Sequence, residues 1–234
     1  MSHNRIIDLK DVFERVNNNK YTVIKLSKDF PNYNVGDDID IFCYDIQSFS
    51  RDVLSVLQRY ISENVNVTLI DNKKQIYIDI TQSDVLQFRF DLYGAIPLYR
   101  KIIIKNALFS SIIENSEVKV VKGIKVKTPS DLDEAILRYI EYQEWYSERP
   151  DKIKHIDYIQ KEIDNKNISR DDLFQKIHYY TSIPVNYIDD RRVSKSYFIR
   201  NIENIRFILV KTFEYFKSKG FKKTAAKIIE KIQS

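Results

Sequence analysis

Two aspartates one residue apart, Asp38 and Asp40 in the run GDDIDIF, alternate with Ile39 and Ile41, and a third, Asp91, alternates in LQFRFDLY. Strand residues two apart share a face with Cα atoms about 6.5–7 Å apart, so Asp38 and Asp40 aim two carboxylates at one place. Such a pair is costly without a cation. Two divalent ions roughly 3.5–4 Å apart, bridged by carboxylates, are a common solution for in-line phosphoryl or nucleotidyl displacement, and the arrangement takes a third acid from a neighbouring strand. Asp91 suits that place best, with Arg89 beside it as a cation to offset charge on a phosphate or on the acids. Asp79, in IYIDI, competes for the same role, while Asp37 and Asp45 read as loop or strand-end residues. A lone Asp-x-Asp is more often a solvated strand start; the matching strand around Asp91 favours a shared site.

The elements that must position these acids follow from hydrophobic spacing. Ile6, Leu9, Val12, Phe13 and Val16 recur at helical intervals, predicting a helix over 5–16. Tyr21–Ser27 is β-branched and reads as a strand, and Pro31, Asn32, Asn34 and Gly36 mark a loop before the strand Asp38–Tyr44. Phe49, Val53, Val56, Leu57, Tyr60 and Ile61 make an amphipathic helix over 46–61. Strands are expected at Val65–Ile70, Gln75–Ile80, Leu86–Tyr93 and Ile124–Lys127. From Thr128 the pattern turns helical. Thr128 or Ser130 could cap a helix over 130–147, further helices are expected over 150–164, 170–180, 194–218 and 221–232, and Ser169 pairs with Asp172 in a second capping box. The expected architecture is α/β (α+β), a mixed sheet with packed helices over 1–127 followed by an all-helical domain over 128–234.

Composition narrows the chemistry. The chain has 234 residues, 43% of them hydrophobic, enough apolar surface to offset ordering entropy. One cysteine, Cys43, excludes an internal disulfide and a cysteine zinc cluster, and three scattered histidines make a histidine metal site improbable. Only four glycines leave no glycine-rich phosphate loop. The sequence shows no secretory apolar stretch and no run of the roughly 18 apolar residues a spanning helix requires, so a cytoplasmic protein is expected.

The order of strand (YTVIKLS), glycine-containing loop, Asp-x-Asp strand (GDDIDIF), helix, strands, single-Asp strand (FRFDLYG) and TPSDLDEAILRYIEY resembles the nucleotidyltransferase superfamily, the fold of the minimal nucleotidyltransferases and DNA polymerase beta. More narrowly, KLSKDFPNYNVGDDIDIF resembles nucleotidyltransferase-like proteins of bacterial surface-polysaccharide biosynthesis, and more distantly the phosphocholine- and ribitol-phosphate-transferring relatives. The resemblance spans about residues 20–160. It implies two Mg²⁺ (or Mn²⁺) ions on Asp38, Asp40 and Asp91, a nucleoside triphosphate or nucleotide-activated donor between the sheet and the helical half, and attack by an acceptor hydroxyl. Ser27 is carried over as a phosphate contact. The superfamily has Gly-Ser there and this chain has Leu26-Ser27, so Lys25 or Lys28 would substitute as a point charge. The segment RPDKIKHID falls where helical-domain residues of the family approach the donor, which makes Lys152, Lys154 and His155 candidate phosphate or base contacts; an ordinary solvated helix face is the competing reading.

Between Arg206 and Ser234 stand eight Lys/Arg against two acids, so the excess positive charge of the chain, +5 overall, gathers there. A solvated basic face is one reading. The other is contact with an anionic partner, either the inner membrane surface or nucleic acid. Three functions remain in view: transfer of a nucleotidyl or phospho-alcohol group to a sugar or glycan hydroxyl in surface-polysaccharide assembly; a toxin or defence nucleotidyltransferase acting on RNA or protein; and a degenerate nucleotide-binding module.

Overall fold

The computed structural model describes residues 6–183, together with Leu209. The expected helices over 194–218 and 221–232, and the basic segment 206–234, lie outside the described residues apart from Leu209.

Helix α1 (Leu9–Val16) starts at Asp8, whose side chain accepts from the Lys10 amide, and buries Leu9, Val12, Phe13 and Val16. Strand β1 (Tyr21–Val23) is shorter than the expected Tyr21–Ser27. Three residue pairs tie it to β2 (Asp37–Cys43), after which a turn led by Ser27 draws the chain off the sheet; Ser27 Oγ accepts from the Asp29 amide and its carbonyl from Phe30. Helix α2 (Ile46–Leu57) is capped by Asp45 and presses Ile46, Phe49, Val53, Val56 and Leu57 into the core. Strands β3 (Val65–Asp71), β4 (Gln75–Gln82) and β5 (Val85–Tyr93) follow as an antiparallel meander.

The five strands run in the order β1-β2-β5-β4-β3. β5 inserts beside β2 and pairs with it in parallel, which makes the sheet mixed. One face carries Ile39, Ile41, Cys43, Ile76, Ile78, Ile80, Phe88, Phe90 and Leu92 into a core with α1 and α2. Alternation puts Asp38, Asp40 and Phe42, and Arg89, Asp91 and Tyr93, on the other face.

That second face is covered by helices. Two elements lie where the sequence spacing left a gap: α3 (Ala107–Glu114), which buries Leu108, Phe109, Ile112 and Ile113, and β6 (Glu117–Val121). β6 forms a hairpin with β7 (Ile124–Thr128) through Lys122 and Gly123, both at positive φ, the conformation a two-residue hairpin turn demands. Helix α4 (Asp131–Trp145) takes Ser130 as its cap, with Ser130 Oγ accepting from the Asp133 amide. Helices α5 (Lys154–Asp164) and α6 (Arg170–Tyr180) complete the layer, the latter capped by Ser169 on Asp172 as the capping box predicts. Phe42, Ile102, α3 and the apolar sides of α4–α6 form a second apolar cluster. Ile124 and Val126 of β7 instead join the first, so the two clusters interleave along the chain. No helix among the described residues is long and apolar enough to cross a membrane.

Candidate active site

The parallel register of β2 and β5 sets Asp38 opposite Arg89, Asp40 opposite Asp91, and Phe42 opposite Tyr93. The three acids predicted from spacing therefore fall on adjoining positions of one sheet face. Their exposure falls along the face: Asp38 is exposed, Asp40 half-buried, and Asp91 is 8% exposed, with an Oδ1 that accepts no hydrogen bond. Burial, then the charges of Asp40 and Asp38, push the Asp91 carboxyl up to about 7. Burial and Asp38 push Asp40 up to about 6, against a hydrogen bond from Tyr93 that holds it down.

Among the described residues no group of three or more His, Cys, Asp or Glu side chains is gathered closely enough to hold a metal ion. Like charges repel without a cation between them, and the raised Asp40 and Asp91 register that repulsion. Asp38, Asp40 and Asp91 offer only carboxylate oxygen, the donor type of a hard ion such as Mg²⁺, and Asp91 Oδ1 accepts no hydrogen bond, but the three do not converge on one point.

Arg89 is engaged by Asp79, its register partner on β4, in a two-pronged pair with Nε to Oδ1 at 2.5 Å and a second guanidinium nitrogen to Oδ2 at 2.9 Å. Its Nε lies 3.8 Å from Asp91 Oδ1, and the guanidinium sits 5.2 Å from the Tyr77 ring centroid. Arg89 thus borders the acids as their counter-charge, while Asp79 spends both oxygens on Arg89.

An open cleft of about 1000 Å³ runs from Asp37, Asp38 and Asp40 to α4 and α5. Lys25, Ser27, Lys28, Arg138, Lys154 and Lys161 are among its walls, alternating on the helical side with Glu134, Asp157 and Glu162, so cations and acids both face Asp38 and Asp40 across it. Burial lowers the Lys25 ammonium; Glu141 works against this, and the charges of Arg138, Lys152 and Lys154 add to it. Ser27 and Lys154 stand in the cleft as the sequence reading expects. Lys152 and His155 do not. Both are buried, 6% and 0% exposed, and both engage Glu141: the Lys152 ammonium pairs with Oε1, and His155 Nε2 lies 3.1 Å from Oε2. The one-turn helix Pro150–Ile153 ahead of α5 directs Lys152 inward, and His155 lies on the inner stripe of α5 with Ile156 and Ile159. Burial tends to raise the Glu141 carboxyl, yet hydrogen bonds from His155 and Lys152 hold it well below the usual range.

Four site residues escaped sequence reasoning. Glu134, Arg138 and Glu141 are spaced four and three apart, one helical face, and that spacing was a legible signal. Arg138 is fixed on the cleft wall by Glu134 at 2.5 Å, by the Tyr158 ring 4.0 Å from the guanidinium, and by His155 Nδ1 at 3.4 Å. Tyr93 shares the face of Asp91 two residues on and hydrogen-bonds Asp40.

No protein-family model matches the chain, and no curated protein matches it. Among solved structures it is similar to a nucleotidyltransferase candidate from H. pylori, at 9% identity and TM-score 0.30, over 90% of this chain and 93% of that one. It is also similar to JHP933 from Helicobacter pylori, at 9% identity and TM-score 0.29, over 97% of this chain and 95% of that one. At such values the likeness carries no argument, and the chemistry has to be read from this chain's own residues.

Proposed function

We propose that the cleft transfers a nucleotidyl or phospho-alcohol group from a nucleotide-activated donor to a hydroxyl, with divalent metal on Asp38, Asp40 and Asp91. The observation that carries this reading is the parallel register of Asp40 and Asp91, with Asp38 beside them and an Asp91 Oδ1 that accepts no hydrogen bond. Bound Mg²⁺ would supply Lewis-acid stabilisation of charge on the transferring phosphorus group. Lys25, Arg138 and Lys154 would bind donor phosphates from the opposite wall, Arg138 with its guanidinium already oriented by Glu134 and Tyr158. Ser27 lines the same stretch and adds a hydroxyl donor. Arg89, locked by Asp79, offsets the acid cluster and restrains Asp91. The Asp91 carboxylate would receive the acceptor's proton.

A surface-polysaccharide acceptor is the first expectation, in a protein working at the inner membrane face. A toxin-type enzyme acting on RNA or protein is the rival, favoured by the eight basic residues between Arg206 and Ser234. A four-nucleotide thermal-shift screen with and without Mg²⁺ tests the shared premise. A donor at a hundredfold excess over its Kd stabilises the native state by about 2.7 kcal/mol. Absence of any nucleotide shift in Mg²⁺ would overturn the reading.

A further inference from the structure

The cleft has two chemically different sides. Along α4 and α5 it is ionic, whereas the loop between β1 and β2 brings an apolar patch to it: Leu9, Phe30 and Phe88 are buried, and Leu26 and Tyr33 are half-buried. These residues line the same space as Asp38 and Asp40, so a molecule seated against them is continuous with the acids. Tyr33 is held as a fixed wall. Its hydroxyl accepts from the Ile7 backbone amide at 2.9 Å and donates to the Ile7 carbonyl at 3.2 Å, and its ring centroid lies 4.6 Å from that of Phe88.

One polar side chain of the lining stands among them. The Asn32 backbone amide donates to the Asp29 carbonyl at 2.9 Å, and its side-chain Oδ1 is buried and accepts no hydrogen bond. A buried amide left so is costly until a ligand or water pairs with it. A half-turn about its last torsion exchanges oxygen and NH₂, so the carboxamide can accept and donate side by side. Apolar and aromatic walls with one oriented amide suit a planar heterocycle. Guanine is met by an arginine fork on O6 and N7, or by a carboxylate on its N1–H and N2–H. Both are committed elsewhere: Arg138 is paired with Glu134 on α4, and Asp37 Oδ2 accepts from the Asn34 amide and side chain at 2.7 and 3.3 Å. Lys28 offers a point charge and no fork. An asparagine amide matches the adjacent N6 donor and N7 acceptor of adenine.

We infer that the β1–β2 side of the cleft seats the base of the donor, an adenine, against Tyr33 and Leu26, and that Asn32 selects it through N6 and N7 while the phosphates run to the acids and the cations of the walls. This rests on the transfer reading above, which leaves the base open. Asn32 is then the residue that sets donor specificity.

The test uses the full chain, Mg²⁺ and the α,β-methylene analogues of ATP, GTP, CTP and UTP, with inorganic tripolyphosphate as a comparator without a base. Calorimetry should give the adenine analogue a Kd at least about tenfold below each of the others and below tripolyphosphate. Asn32→Ala should weaken the adenine analogue by about fivefold or more and leave tripolyphosphate within about twofold. Asn32→Asp keeps the size of the side chain but trades its NH₂ for a second acceptor, and should move the preference toward guanine. Equal affinity for the four bases, a wild-type preference for another base, or an adenine preference that survives both substitutions would overturn the inference. A wild type that binds neither nucleotide nor tripolyphosphate would sink the transfer reading instead. Saturation-transfer NMR with adenosine, which carries no phosphate, then decides the base pocket by itself: signal on adenine H2 and H8 that is lost in Asn32→Ala supports it, and no signal, or signal unchanged in the variant, overturns it.

Discussion

Asp40 on β2 and Asp91 on β5 are register partners in the parallel pair of the sheet, two carboxylates side by side on a face that helices cover. Neighbouring strands lie about 4.8 Å apart, so neither can escape the other by a change of rotamer alone. The arrangement costs stability in the empty protein, which is why it points to a cation. Arg89 relieves only part of it, because Asp79 holds the guanidinium by two bonds.

The first prediction takes its sign from the burial of Asp91 and then from that repulsion. Unfolded, Asp91 titrates at the ordinary 3.8; folded, it is pushed up to about 7. Between those values the folded state holds the extra proton, so the group's stabilising contribution is full below about pH 4 and lost as pH rises through about 7. Asp91→Asn removes the titration. In EDTA, its melting temperature minus that of wild type should climb from pH 5 to pH 8. A flat or falling difference would mean that Asp91 is a well-compensated ion.

Glu141 should behave oppositely. It holds a buried Lys152 and a fully buried His155, and its removal strands both. Glu141→Gln should cost about 3 kcal/mol, the usual penalty for leaving a buried charge unpaired, read from urea midpoints at an unchanged slope. A loss under about 0.5 kcal/mol would show that the pair rearranges freely.

The polar face of the sheet was legible because alternation is a two-residue period: Asp38 and Asp40, and Arg89 and Asp91, could be assigned to faces from spacing alone. Which acid stood beside which depended on strand order. That β5 inserts next to β2 in parallel is a long-range pairing, invisible to any local window, and it decides between Asp91 and Asp79 as the neighbour of Asp40. Helix α3 escaped because eight residues without a side-chain cap give a weak signal, although Leu108, Phe109, Ile112 and Ile113 already had helical spacing. Sequence makes Lys152 and His155 candidate donor contacts because it cannot show that Glu141, eleven residues before Lys152, is a buried partner for both.

The Asp79–Arg89 pair should be stabilising yet not indispensable. Its side chains are 15% and 32% exposed, so solvent weakens it relative to a buried bridge. Asp79→Asn and Arg89→Gln should each cost about 1–2 kcal/mol, and the double variant less than the sum, as expected for partners in one interaction. Additive losses in a double-mutant cycle would count against a direct pairing. Arg89→Gln should also raise Asp91 further, since a positive neighbour is removed from its side.

The last prediction weighs the cations of the cleft wall against one another. Arg138 is held by Glu134, Tyr158 and His155, whereas Lys154 is 57% exposed and pairs with Asp151 at 3.7 Å. A pre-oriented guanidinium loses less freedom when it meets a phosphate than a swinging ammonium does, and it can donate two parallel bonds. Arg138→Lys should therefore weaken nucleotide binding more than Lys154→Arg, even though both keep the charge. Loss of a charge-assisted bond is worth about 1.5–3 kcal/mol, so Arg138→Lys should raise the nucleotide Kd by roughly 10–100-fold, and Lys154→Arg by less than about threefold. Glu134→Gln separates orientation from charge: it leaves the Arg138 guanidinium in place but unclamped, and should weaken binding by an intermediate factor. Calorimetry with nucleotide and Mg²⁺ reads all three. Equal effects of Arg138→Lys and Lys154→Arg would mean that the wall acts only as a diffuse positive field, and both should then fade together as salt is raised.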